Sequence, residues 1–234
     1  MRELCIADIH GGYRSFVQVL ELAAFDPEKD KLIVLGDVCD GWPDTPQCIE
    51  LLLSFKNMIF VMGNHDQWAF EWLEWGKQPD IWTLQGGQAT LDAYIQVPEL
   101  MQKHRDDFFR KSPYYYVDDK NRLFIHGGIP QREMFKDINS VDKMDLMWDR
   151  SLANLVMSNR IKGKKFQGSN FTEIYLGHTT TSQVSDLPII TEKVILLDQG
   201  GGWEGKLTLM DINTKEYWQS DLVYKLYPEH RGRR

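Results

Sequence analysis

Short apolar runs that stop abruptly at glycine or a metal-capable side chain recur along this chain. Leu4–Ala7 runs into Asp8 and His10, Leu32–Leu35 into Gly36-Asp37, and Met58–Met62 into Gly63-Asn64-His65-Asp66. Further on, Arg122–Ile125 runs into His126, Ile174–Leu176 into Gly177-His178, and Val194–Leu197 into Asp198-Gln199-Gly200. Such short apolar runs read as strands. Between the first of them lie helical patterns. Residues 15–24 place Phe16, Val19, Leu20 and Ala23 on one face, and Thr45-Pro46 is a good helix start leading into Ile49–Leu53. Strand, helix, strand, helix, strand predicts an α/β protein.

Residues 68–112 break this rhythm. They are aromatic and helical in pattern, with Trp68, Trp72 and Trp75 at helical spacing, and are expected as a helical insert whose tryptophans are core. Tyr114–Val117 and Arg122–Ile125 flank Asp118–Asn121 as a hairpin, a helix is expected around 141–159, and a polar loop over 163–170. Lys206–Ile212 and Glu216–Ser220 read as a last hairpin. The expectation is a single domain over residues 1–222, followed by a tail over 223–234 whose basic end, Arg231–Arg234, is expected to be disordered and without function.

The 234 residues are 42% hydrophobic and 26% charged, with eight tryptophans and eleven phenylalanines, ample for a sizeable core. A net charge of −7 argues against duplex nucleic acid as a partner, and no apolar run approaches the length of a membrane helix. Cys5, Cys39 and Cys48 form no CxxC pair and are expected as buried, reduced thiols. With no signal-peptide pattern at the amino terminus, the expected location is cytoplasmic.

In open α/β sheets, loops at the carboxyl ends of the strands gather around one crevice. Asp8, His10, Asp37, Asn64, His65, His126 and His178 are therefore candidates for a common site. Two divalent cations about 3.5–4 Å apart need a bridging oxygen ligand, which an aspartate supplies, and the pair activates a water for attack on phosphorus. Imidazoles mixed with oxygen donors suit Mn, Fe or Zn better than Ca or Mg.

Five segments in order resemble the motifs of the calcineurin-like metallophosphoesterases, in particular their phosphoprotein-phosphatase branch. They are DIHG at 8–11, GDVCD at 36–40, GNHD at 63–66, HGG at 126–128 and GHT at 177–179. The resemblance implies a two-sheet β-sandwich flanked by helices, layered α/β/β/α. It also implies Asp8 and His10 on a first metal, Asp37 bridging, and Asn64, His126 and His178 on a second, with Mn as the expected metal. His65 would be the general acid, oriented by Asp40, while a metal-activated hydroxide attacks phosphorus. His104 and His230 are assigned no catalytic role.

Thr180 stands where other branches have a further histidine ligand, which favours the phosphatase branch. Two arginines that grip phosphate in that branch are absent: their places hold Gly41 and Met62. Arg150 and Arg14 are the candidate substitutes. The leading expectation is a phosphomonoesterase acting on a phosphorylated protein or small phosphate ester. A hydrolase of dinucleoside polyphosphates is the alternative, with Trp82 or Tyr94 stacking a base. A non-catalytic metal-binding interaction module is the third.

Overall fold

Alternation along the strands decides the layering. A computed structural model of the chain describes residues 1–163, 166 and 168–233. Lys164, Lys165 and Gln167 of the polar loop, and Arg234 of the basic tail, lie outside the described residues. In β1 (Glu3–Ile6) and β2 (Lys31–Val34), Leu4, Ile6, Leu32 and Val34 face a core shared with helices. Their neighbours Cys5, Ala7, Ile33 and Leu35 face a second core that holds Phe124, Tyr175, Ile195 and Leu197 from other strands. Leu123, Ile125, Ile174, Leu176, Val194 and Leu196 face a third core on the far side. Side chains on successive strand residues point to opposite faces, so this alternation requires two stacked sheets with helices outside each.

The first sheet runs β10-β9-β1-β2-β3, with β3 at Met58–Phe60, β9 at Thr208–Asp211 and β10 at Tyr217–Gln219. The second runs β4-β5-β6-β8-β7, with β4 at Tyr115–Val117, β5 at Arg122–Ile125, β6 at Glu173–Leu176, β7 at Ile189–Ile190 and β8 at Val194–Leu196. β1, β2 and β3 are mutually parallel, as are β5, β6 and β8. Their carboxyl ends therefore share one edge of the sandwich. Between the sheets, Phe124 stacks on Tyr175 with ring centroids 4.8 Å apart.

Helices α1 (Tyr13–Leu22), α2 (Thr45–Leu53) and α3 (Asn64–Trp75) cover the first sheet. The insert continues as a turn α4 (Asp80–Trp82), then α5 (Gln88–Gln96) and α6 (Leu100–Lys103). Trp82, Leu91, Phe108 and Phe109 from it join the same core, so the insert extends the helical layer. Trp72 packs there against Trp82 and Tyr94, while Trp75, the last of the spaced tryptophans, is exposed. Trp82 and Tyr94 are wholly buried as packing residues, which leaves neither face free to stack a base. The buried His104 is bonded to Tyr94 Oη and Glu50, a structural role.

Two expectations are corrected. The helix expected around 141–159 is two, α7 (Lys143–Trp148) and α8 (Ser151–Ile161). The break at Asp149 lets the Gly127-Gly128 turn pack its backbone against residues 147–149, where a Cβ on Gly127 would come within 2.6 Å of the Met147 carbonyl carbon. The tail expected from residue 223 is also packed. α9 (Val223–Leu226) leads to Tyr227, and Val223 and Tyr227 form a buried cluster with Trp42. Tyr227 stacks on Trp42 and donates its hydroxyl to Asp44, which holds the segment against the strand-end loops. All three cysteines are buried as free thiols, and burial pushes each up.

Candidate metal centre

Five of the residues after the strands are held in the left-handed backbone region without being glycine: Asp8 (φ 55°), His10 (φ 51°), Asp37 (φ 52°), Asp40 (φ 73°) and His178 (φ 62°). Each such residue costs on the order of 1–3 kcal/mol, and strain of this kind gathers at functional sites. What it achieves is convergence. Asp8, His10 and Asp37 bring ligand atoms within 4.8 Å of one another, as do Asp37, His126 and His178. Asp37 belongs to both groups, and all five residues are buried.

The imidazoles are oriented by backbone carbonyls. His10 Nδ1 donates to Cys39 O at 2.8 Å and His126 Nδ1 to Leu35 O at 2.6 Å, which leaves both Nε2 atoms with bare lone pairs. His10 Nε2 stands 3.8 Å from Asp8 Oδ1 and from Asp37 Oδ2. His126 Nε2 lies 3.2 Å from Asp37 Oδ2 and 3.0 Å from Asn64 Oδ1. Acceptors therefore face acceptors unless a proton or a cation stands between them. Asp37 Oδ2 and His178 Nε2 are buried and make no hydrogen bond. Buried polar atoms without partners are costly, and a cation between them removes the cost.

The electrostatics point the same way. Burial pushes Asp8 well up, reinforced by Asp198 and Asp37. Burial also pushes Asp37 up, but His126, His65 and His10 around it more than offset this and hold it well below the usual carboxylate range. Burial pulls His126 down, yet Asp37 and Asp8 lift it to about 9, so a proton is drawn into the gap when nothing else fills it. Burial, His126 and Arg150 hold His178 down at about 2, leaving a neutral donor at any ordinary pH. Clustered carboxylates with neutral imidazoles fit divalent transition-metal ions.

Glycines beside the ligands supply room. A Cβ on Gly63 would lie 2.1 Å from Asp37 Oδ1, and one on Gly177 would lie 2.3 Å from Asp8 Oδ2. His65 sits at the rim. Its Nδ1 donates to Asp40 Oδ2 at 2.6 Å. Asp40 also accepts from Trp82 Nε1 at 2.8 Å and Thr90 Oγ1 at 2.7 Å, so its orientation is fixed by the insert.

The substitute arginines fare differently. Arg150 is exposed and donates to the His178 carbonyl at 2.8 Å, beside the site. Arg14 faces away: it donates to Leu226 O, pairs with Glu229 at 2.8 Å and lies over the Tyr227 ring. These contacts tie it to the carboxyl-terminal segment, and none of them is with a candidate ligand.

Three residues that the motifs did not assign to the site lie close to the candidate ligands. Asp66 accepts backbone N–H groups from Asp37, Val38 and Gly63, tying the β2 loop to the start of α3; its place in GNHD was the available signal. Asp198 follows β8 as the ligands follow their strands, and its charge acts on Asp8. Arg233, expected to be functionless, reaches the site itself. Its Nη1 lies 3.2 Å from His10 Nε2, its Nη2 2.8 Å from His65 Nε2, and its Nε donates to Gln85 O at 3.1 Å. No local sequence pattern signals that contact.

Residues 1–175 match the family described as calcineurin-like phosphoesterase. A symmetrical bis(5'-nucleosyl)-tetraphosphatase of Coxiella burnetii is 29% identical over 56% of this chain, a match that spans only 43% of that enzyme. Serine/threonine-protein phosphatase 1 of Salmonella typhimurium is 25% identical, over 88% of this chain and 90% of its own. Among solved structures, a putative diadenosine tetraphosphatase superposes with a TM-score of 0.64 at 15% identity, covering 93% of this chain and 92% of its own. The fold, the ordered strand-end ligands and the match over residues 1–175 together make this chain a member of the calcineurin-like phosphoesterase family.

Proposed function

We propose that the chain is a metal-dependent hydrolase of phosphate monoesters, with a phosphorylated protein or small phosphate ester as substrate. The observation that carries this reading is Asp37, whose unpartnered Oδ2 stands between two groups of buried ligands. Asp8, His10 and Asp37 would hold one ion, and Asp37, Asn64, His126 and His178 the other. Mn is the expected metal, with Fe and Zn suited to the same donors. When bound, the pair supplies an activated water and neutralises charge on the phosphoryl group. His65, held by Asp40, presents Nε2 toward the leaving oxygen and delivers the proton it needs. Trp82 and Thr90 keep Asp40 aimed at His65 rather than at solvent.

The second reading, hydrolysis of a dinucleoside polyphosphate, is favoured by the tetraphosphatases of Coxiella burnetii and Bacillus cereus among the relatives. It needs a base-binding surface other than Trp82 and Tyr94. No helix among the described residues is long and apolar enough to cross a membrane.

The test is hydrolysis of p-nitrophenyl phosphate and of diadenosine tetraphosphate by metal-stripped protein given Mn²⁺. His65→Ala is expected to lower kcat by about 10²–10⁴-fold with two ions retained, whereas Asp37→Ala loses the metal as well. Unchanged turnover in His65→Ala would refute the acid role. Turnover of the dinucleotide alone would favour the second reading, and two bound ions with no turnover of either would favour the interaction module.

A further inference from the structure

The position after Asp40, where the resemblance leads one to expect an arginine, is Gly41, and what fills the space is Arg233. A Cβ on Gly41 would lie 2.8 Å from Arg233 Cγ, one on Gly86 3.1 Å from the same atom, and one on Gly202 3.0 Å from Arg233 Cδ. The arginine stem thus runs through a slot walled by three residues without side chains. Trp42 completes the seat. It donates to Gly201 O, stacks on Tyr227, and packs so closely on Gly232 that a Cβ there would come within 2.8 Å of its ring. The guanidinium lies over Trp203, 4.9 Å from the ring centroid, and Nε is taken by Gln85 O. Backbone N–H of Arg233 donates to Gly202 O.

Only the two terminal nitrogens face the centre, and their acceptors are the lone pairs of His10 Nε2 and His65 Nε2. The His10 lone pair is also directed toward Asp8 and Asp37, and the His65 ring stands edge-on to His10 with centroids 5.2 Å apart. The two terminal nitrogens of Arg233 thus stand at the mouth of the candidate cation site, where a substrate oxygen entering the centre would meet them. A guanidinium fork matches the paired oxygens of a phosphoryl group, and Lys or a smaller residue does not reproduce it.

We propose that Arg233, delivered by the carboxyl-terminal segment through the slot at Gly41, is the residue that binds the phosphoryl group of the substrate. The proposal rests on the phosphoesterase reading, and the experiment separates the two. Inorganic phosphate is titrated calorimetrically into Mn²⁺-loaded full-length wild type, Arg233→Ala and Arg233→Lys, with bound Mn counted for each and p-nitrophenyl phosphate turnover measured alongside. Arg233→Ala is expected to bind phosphate about 10–100-fold more weakly with its Mn content unchanged. Arg233→Lys should recover only part of that loss. Equal phosphate affinity in Arg233→Ala overturns the proposal. Tighter phosphate binding with faster turnover also overturns it, and would make the segment a plug. If wild type binds phosphate but hydrolyses nothing, the enzyme reading falls while the comparison of affinities still decides the role of Arg233.

Discussion

A single hydrogen atom on Gly63 decides whether Asp37 fits where it is needed. The residue has an ordinary φ of −96°, so its identity is not a matter of backbone strain; a methyl group would stand 2.1 Å from Asp37 Oδ1 and 2.6 Å from the Asp37 nitrogen. Neither neighbour can yield, because Asp37 Oδ1 accepts from His65 N–H and the Asp37 nitrogen donates to Asp66. Gly63→Ala is therefore expected to displace the carboxylate shared by both ligand groups and to cut bound Mn from two ions toward one or none, read by metal analysis after gel filtration. Retention of two ions would show that the β3 loop is free to retreat. The convergence of Asp8, His10, Asp37, Asn64, His126 and His178 was legible in the sequence because each sits beside a strand end, where topology alone brings residues together. Trp82, Thr90 and Arg233 were not. They approach Asp40, His65 and His10 from segments 42, 50 and 223 positions away, and nothing local distinguishes them from ordinary core or tail residues.

At the level of elements, the strand ends stay aligned because polar ties hold the strands' other ends too. Arg2, at the entry to β1, clamps Asp30 at the entry to β2 through Nε at 3.1 Å and its own N–H at 3.2 Å. It also donates to Ala23 O and Ala24 O at the end of α1. Burial raises Asp30, but the hydrogen bonds from Arg2 and from Asp26 N–H outweigh it and leave the carboxyl below its ordinary value. A depressed carboxyl stabilises the fold fully above its unfolded value of about 3.9 and loses that contribution as pH falls through the folded value. Arg2 is partly exposed, so solvent screens part of the gain. Asp30→Asn is expected to cost about 1–2 kcal/mol in urea unfolding at pH 7, and the gap to wild type should shrink below about pH 4. A gap that stays constant to pH 3 would show that the loss is not one of charge. The strands bearing ligands were readable as apolar runs. β7 at Ile189–Ile190 was not, since two residues carry no period. The break between α7 and α8 was missed although Asp149 signals it, its side chain accepting from Ser151 N–H, and Gly127 and Gly128 pack into it.

Across the whole molecule, the candidate centre is also a cross-link. Asp8, His10, Asp37 and Asn64 follow strands of one sheet, whereas His126 and His178 follow strands of the other. The sheets also meet through apolar contacts of the layer around Phe124 and Tyr175, through ties such as Tyr175 Oη to Ile212 O, and through the ion pairs Arg122–Glu3 and Lys215–Glu173. An ion held by Asp37 and His126 would tie both sheets together at their carboxyl edge, and unfolding either sheet would break up its ligand set. Ligands that bind only the folded state stabilise by RT ln(1 + [L]/Kd), about 2.7 kcal/mol per site at a hundredfold excess over Kd. For a chain of this length that is roughly 5–10 °C in Tm per ion. Adding Mn²⁺ to metal-stripped protein is accordingly expected to raise Tm by about that much per ion while preserving one cooperative transition, followed by differential scanning calorimetry. Asp37→Ala should show almost none of the rise. If Mn²⁺ instead split the transition into two, the ions would be holding one sheet alone, and the assignment of Asp37 as the carboxylate common to both ligand groups would have to be abandoned.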